Sequence, residues 1–166
     1  MKHIFPLAFV LLSLSFREAG SEPAAAPRRT PDISYTTSAI YGKMASDVLG
    51  YVNDYRRKKG LPSLAMNSII SAQAQKHSDN MAAHRTSFGH NGFQRRMKNI
   101  SSQVRGVNAT AENVAFGSLT AKEVVENWLH SPGHRQNIEG PYNLTGIGIA
   151  TDSRGNLYFT QIFAGN

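Results

Sequence analysis

The sequence predicts an α+β domain, helices first and strands last. Three stretches between residues 38 and 130 repeat apolar side chains at helical spacing, two stretches beyond residue 144 read as strands, and Gly, Pro, Ser and Asn clusters punctuate them. The chain has 166 residues, 40% hydrophobic and 17% charged, which suffices for one domain with a real core and hardly more. No cysteine is present, so disulfides, thiolate metal sites and a cysteine nucleophile are excluded together. The net charge of +7 speaks mainly to solubility and general attraction to anionic partners.

Residues 1–20 open with Lys2 and continue with an apolar run over residues 4–16. Such a run matches a secretory h-region and falls short of the roughly 20 residues that span a bilayer. Residues 1–20 are therefore read as a signal peptide, and the protein as secreted, or periplasmic if the source is Gram-negative. Residues 21–37 are rich in Pro, Ala and polar groups without a period, and are read as a flexible linker to a domain over residues 38–166.

The first helix is expected over residues 38–59, with Met44, Val48, Tyr51, Val52 and Tyr55 on its buried face. Its last turn, Arg56-Arg57-Lys58-Lys59, complements the helix dipole, and Gly60 and Pro62 end it. No aromatic residues interleave with these cations, so a nucleic-acid groove is not indicated. Asn67 is expected to cap a second helix over residues 68–84, whose apolar face carries Ile70, Ala74, His77 and Met81. Residues 85–100 have two glycines and no sustained period, and are read as mainly loop, with His90 in flexible backbone able to turn inward. Residues 112–117 read as a turn entering an extended segment. Thr120 and Glu123 form a capping box for a third helix, with Val124, Val125, Trp128 and Leu129 buried. Ser131-Pro132-Gly133 should stop it and leave His134 in a fixed turn. Residues 145–151 and 157–163 read as strands joined by an antiparallel hairpin at Asp152-Ser153-Arg154-Gly155-Asn156.

Seven segments fall in one order between residues 53 and 163: N-D-Y-R-R-K-K-G-L-P-S-L, A-Q-K-H-S-D-N-M-A, F-G-H-N-G, A-E-N-V-A-F-G, V-V-E-N-W-L-H-S-P-G-H-R-Q-N-I, G-I-G-I-A and Y-F-T-Q-I-F. Together they resemble the CAP superfamily of cysteine-rich secretory proteins, antigen 5 and pathogenesis-related class 1 proteins. The resemblance implies a three-layer α-β-α sandwich with a small antiparallel-type sheet between helices. It also implies a cleft. His90 matches the family's first cleft histidine and Glu112 the glutamate of its G-E-N motif, here preceded by Ala111. Ser131 stands where many members have a second acid, and Tyr158 where they have a second histidine. These departures, with the absent cysteines, resemble the branch common in bacteria, in which His134 is given a place in the cleft. His77, Asn113, Trp128 and Asn137 are read as its structural support. Asn99, Asn108 and Asn143 each begin an N-x-S/T sequon.

Two readings of the cleft stand side by side. His90, His134 and Glu112 offer the donor types of a divalent metal site, zinc first, or they hydrogen-bond one another as a purely structural network. The function expected is a non-enzymatic binding or interaction module, monomeric, with a protein, lipid or cell-envelope ligand. One alternative is a hydrolase, through zinc or a Ser131–His134 pair oriented by Glu112. No H-E-x-x-H and no nucleophile elbow prefigure either form. The other alternative is sterol or lipid binding in a groove lined by Tyr41, Tyr51 and Tyr55.

Overall fold

The computed structural model describes residues 33–166. The signal peptide over residues 1–20 and the linker as far as residue 32 lie outside the described residues. Helix α1 runs Ile33–Lys58 and so begins inside the stretch read as linker. After Pro31 no glycine or proline interrupts the chain before Gly42, so nothing in the sequence opposes an earlier start. Val48 and Val52 are fully buried, whereas Tyr51 is 41% exposed, because it lies at the margin of the apolar stripe. Arg56 corrects the dipole account of the cation run. It is 1% exposed, and its guanidinium donates to the carbonyls of Pro62 (2.8 Å), Ile138 (2.7 Å), Gly140 (3.0 Å) and Tyr142 (3.0 Å). One buried cation thus ties the end of α1 to the loop that follows it and to the distant segment over residues 138–142 through neutral acceptors, and burial lowers its pKa.

A short strand β1, Ala65–Met66, precedes α2, Ser68–Ala82. Asn67 caps α2 as expected, accepting from the backbone N–H groups of Ile69 and Ile70. Ile70, Ala74, His77 and Met81 are all buried. The second half of the stretch read as mainly loop, residues 85–100, falls in helix α3, Phe93–Ser101, and residues 109–117 form a full strand β2, Ala109–Gly117. Helix α4, Ala121–His130, carries the capping box and buries Val124, Val125 and Trp128, with Leu129 half-buried. Ser131-Pro132 does not end in a turn. It starts a new helix, α5, Pro132–Glu139, because proline in the first turn gives up no hydrogen bond there. His134 therefore sits in the first turn of a helix. Strands β3, Leu144–Thr151, and β4, Leu157–Gly165, form the expected hairpin. Asp152 holds its turn by accepting from the backbone N–H groups of Arg154 and Asn156, both at 2.9 Å.

The sheet order is β1-β3-β4-β2, with β1 parallel to β3 and the other pairs antiparallel. Alternation along the strands builds a core on each face. On one face Phe159, Phe163, Ile147 and Ile149 pack with Val48, Val52, Trp128 and Ile138 from α1, α4 and α5. On the other, Ile162 and Ala164 meet Ile70 and Ala74 of α2 and Met97 and Ile100 of α3. This is a three-layer α-β-α sandwich. Gly146 and Gly148 set the spacing of the second layer: a Cβ at either would lie 2.2 Å from a backbone nitrogen of α2, that of Ser71 or Gln75. The absence of side chains there lets the helix rest directly on β3.

Candidate functional site

Strand β2 is a sheet edge, and the site forms where both helical layers meet at it. Alternation aims Glu112 toward α2 and α3 and its neighbour Asn113 toward α5. The Glu112 side chain is 1% exposed. Its Oε1 accepts from His90 Nδ1 at 2.9 Å, and both oxygens accept from a residue the sequence reading missed. Arg96 Nε donates to Oε2 at 2.8 Å and Arg96 Nη2 to Oε1 at 2.7 Å, a bidentate fork. Arg96 Nη1 further donates to the Asn91 carbonyl (2.7 Å) and faces His77 Nδ1 (3.2 Å).

That geometry fixes the His77 tautomer. The Gly89 carbonyl, 2.7 Å from His77 Nε2, can only accept, so the proton sits on Nε2 and Nδ1 accepts from Arg96. Burial holds the His77 imidazole below the usual histidine range, against the pull of the Gly89 carbonyl, and the Arg96 charge adds to the effect. His77 is thus both a core residue and a member of the cluster.

A signal for Arg96 was present in the sequence. Phe93, Arg96, Met97 and Ile100 fall at i, i+3, i+4 and i+7, an amphipathic stripe with one cation on it. A cation on a buried face requires a buried acceptor, and the cleft carboxylate Glu112 is a candidate for it.

The opposite side of β2 is built from amides. Asn137 donates to the Glu112 carbonyl at 3.2 Å and to Asn113 Oδ1 at 2.8 Å, and Asn113 donates to the His134 carbonyl at 3.1 Å. Trp128 Nε1 donates to the Val114 carbonyl at 3.2 Å. Side chains from α4 and α5 thereby cover two carbonyls of an edge strand that would otherwise be open to pairing.

His90 is half-exposed over a shallow cavity of about 300 Å³ lined also by Phe93, Thr110 and Asn137. The half-buried His134 stands within electrostatic reach of His90; burial first, and then the His90 charge, lower its pKa. Among the described residues His134 makes no ion pair with Glu112, and Ser131 makes no capping bond at the start of α5. Tyr158 is not at the carboxylate. It pairs with Phe116, whereas Glu112 pairs with Ile162, four residues or about 13 Å along β4. There its ring meets that of Phe116 in a tilted pair, 4.7 Å between centroids.

Zinc does not fit the trio proposed from sequence. Both Glu112 oxygens already hold the Arg96 guanidinium, so a dication on either would face a fixed positive charge. Among the described residues no group of three or more His, Asp or Glu side chains is arranged to hold a metal ion.

A small antiparallel-type sheet between two helical layers, with a buried Glu–Arg–His cluster at its edge, defines the class. The sequence profile of the CAP cysteine-rich secretory protein family matches residues 49–163, and the chain belongs to that family as a cysteine-free member. Its relatives include the YkwD protein of Bacillus subtilis (strain 168), 32% identical over 144 residues. That match covers 84% of this chain and 55% of YkwD, so the chain spans about half the length of this relative. Among solved structures, an extracellular protein containing an SCP domain from Bacillus anthracis is similar in fold, with TM-score 0.66 and 22% identity. The similarity covers 82% of this chain and 45% of that one. An outer surface protein of Borrelia burgdorferi is similar with TM-score 0.57 and 20% identity, over 81% of this chain and 96% of that one.

Proposed function

We propose that the chain is an extracellular, non-enzymatic binding module in which the Glu112–Arg96–His77–His90 cluster is a scaffold. One observation carries this reading. Glu112, the carboxylate that a metal, acid–base or Ser–His mechanism would need, is buried with both oxygens engaged by Arg96. A group so committed joins α2, α3, the His90 loop and the sheet edge, and is not available to a substrate. The signal-like residues 1–20, and relatives described as extracellular or as outer surface proteins, support export. Among the described residues no helix is long and apolar enough to cross a membrane. The test is to incubate the purified chain with peptide, ester and peptidoglycan substrates, with and without zinc, beside His90→Ala. No turnover above that of the variant is expected, and calorimetry should give no one-to-one zinc binding. Turnover or zinc binding lost in His90→Ala would overturn the reading.

A second reading, lipid carriage, is favoured by a groove of about 810 Å³ between α1, α2 and β3, lined by Tyr41, Ala45, Ile147, Ile149 and Ala150, with Gln75 and Asp79 of α2 on its polar wall. Tyr51 and Tyr55 do not line it; the Tyr55 hydroxyl donates to Glu139 at 2.5 Å. A fluorescent sterol or fatty acid titrated into the protein should saturate at one equivalent if the groove is a lipid site, and a signal that never saturates removes this reading.

A further inference from the structure

Helices α2 and α3 and the loop between them enclose a polar groove of about 520 Å³ on the far side of Arg96 from Glu112. Lys76, Arg85, Arg95 and Arg96 line it, and no acidic side chain does. Arg96 is neutralised by Glu112 behind it, but the other three cations are not. Lys76 and Arg95 make no ion pair among the described residues. Arg85 is held only by uncharged oxygens, Asn80 Oδ1 at 2.8 Å and the Asp79 carbonyl at 3.3 Å.

Two of the guanidinium groups border one spot. A Cβ built on Gly92 would lie 3.4 Å from Arg96 Nη1 and 3.5 Å from Arg95 Nη2. The two nitrogens therefore lie at most about 7 Å apart, within reach of a single anion between them. The remaining polar wall is amide. Asn99 donates to Gln73 across the two helices at 3.3 Å, and Asn80 and Asn91 complete it. Amides supply both donors and acceptors, the complement of hydroxyl groups, while the cations complement an oxyanion. The volume exceeds what a lone phosphate fills and is of the size of small-molecule sites.

We infer that this groove binds the phosphate group of a phosphorylated sugar or polyol chain. The inference rests on the binding-module reading and names the ligand chemistry for it. Lys76 and Arg95 hold the phosphate, Arg96 forms the fixed floor, and the amides take the neighbouring hydroxyls.

The experiment titrates the full chain with inorganic phosphate, glycerol 3-phosphate, poly(glycerol phosphate) and dextran sulfate at two salt concentrations. Saturable binding of poly(glycerol phosphate) is expected, weakened at least tenfold by the double variant Lys76→Gln/Arg95→Gln. Both residues are exposed, so melting temperature should not change. A control double variant, Lys43→Gln/Lys122→Gln, removes equal charge from other helices and should bind within twofold of the parent. Equal weakening in both doubles would reduce the effect to net charge and overturn the proposal. So would dextran sulfate binding as tightly through the same two residues, or no saturable binding by any phosphate probe. Lack of phosphate binding without His90-dependent turnover removes the groove proposal alone, whereas turnover removes the module reading itself.

Discussion

Replacing Arg96 by Met should break the site from inside. In the parent, the buried Glu112 carboxylate takes two hydrogen bonds from the Arg96 fork and one from His90. In Arg96→Met only the His90 bond remains, and the Asn91 carbonyl and His77 Nδ1 lose their donor as well. Removing one partner of a buried ion pair costs about 3–5 kcal/mol, because the charge left behind has neither water nor counter-ion. The new Met side chain, beside Met97 and Ile100, recovers part of the packing but none of the electrostatics. In a domain of this size the loss corresponds to a fall in Tm of roughly 10–15 °C. Urea unfolding and thermal melts of four proteins decide it: parent, Arg96→Met, Glu112→Gln and the double variant. Glu112→Gln in the Arg96→Met background removes the stranded charge, so the double variant should be more stable than Arg96→Met by about 1.5 kcal/mol or more. If Arg96→Met lies within about 1 kcal/mol of the parent, or if the two losses simply add, the cluster is not the coupled scaffold described.

Arg56→Met should destabilise by about 3 kcal/mol or more, since four backbone carbonyls lose a bond from the buried guanidinium and, among the described residues, only that of Gly140 keeps another donor, and a shift of the urea midpoint measures it. Gly148→Ala drives a methyl group into the backbone of α2 and should cost about 4 kcal/mol or prevent folding. Gly50→Ala, in mid-α1 with nothing within 4 Å, should stabilise by about 0.5–1 kcal/mol. Opposite signs in circular-dichroism melts are the expected result for that pair. His77 and His134 are both held below the ordinary value of 6.5. Below that pH the unfolded chain takes up protons that the folded chain refuses, so stability is full above 6.5 and declines as pH falls toward the folded-state values. Tm should therefore be lower at pH 5 than at pH 7.5, with a smaller difference in His77→Gln; an unchanged difference would take His77 out of the account.

Local rules carry far in this chain. Asn67 and the Thr120–Glu123 box mark helix starts because a cap depends only on neighbours in sequence. The β3–β4 hairpin is legible for the same reason, and the ordered segments identify the family. Helix α3 and strand β2 were hidden by the same kind of feature, a polar residue on a buried face: Arg96 interrupts the stripe of Phe93, Met97 and Ile100, and Glu112 and Asn113 interrupt the run of residues 111–116. The charge of Arg96 and the polar groups of Glu112 and Asn113 find their partners far along the chain, which no local pattern contains.

The sequence by itself determined an α+β domain without cysteine, the position of its caps and hairpin, and the pairing candidates His90 and Glu112. Only the tertiary structure decided what that pair is for. Sixteen residues separate Arg96 from Glu112, and folding alone closes that distance to a bidentate contact. The guanidinium then stands against the carboxylate that a metal would require. Burial makes the contact strong, because there water no longer competes for either charge.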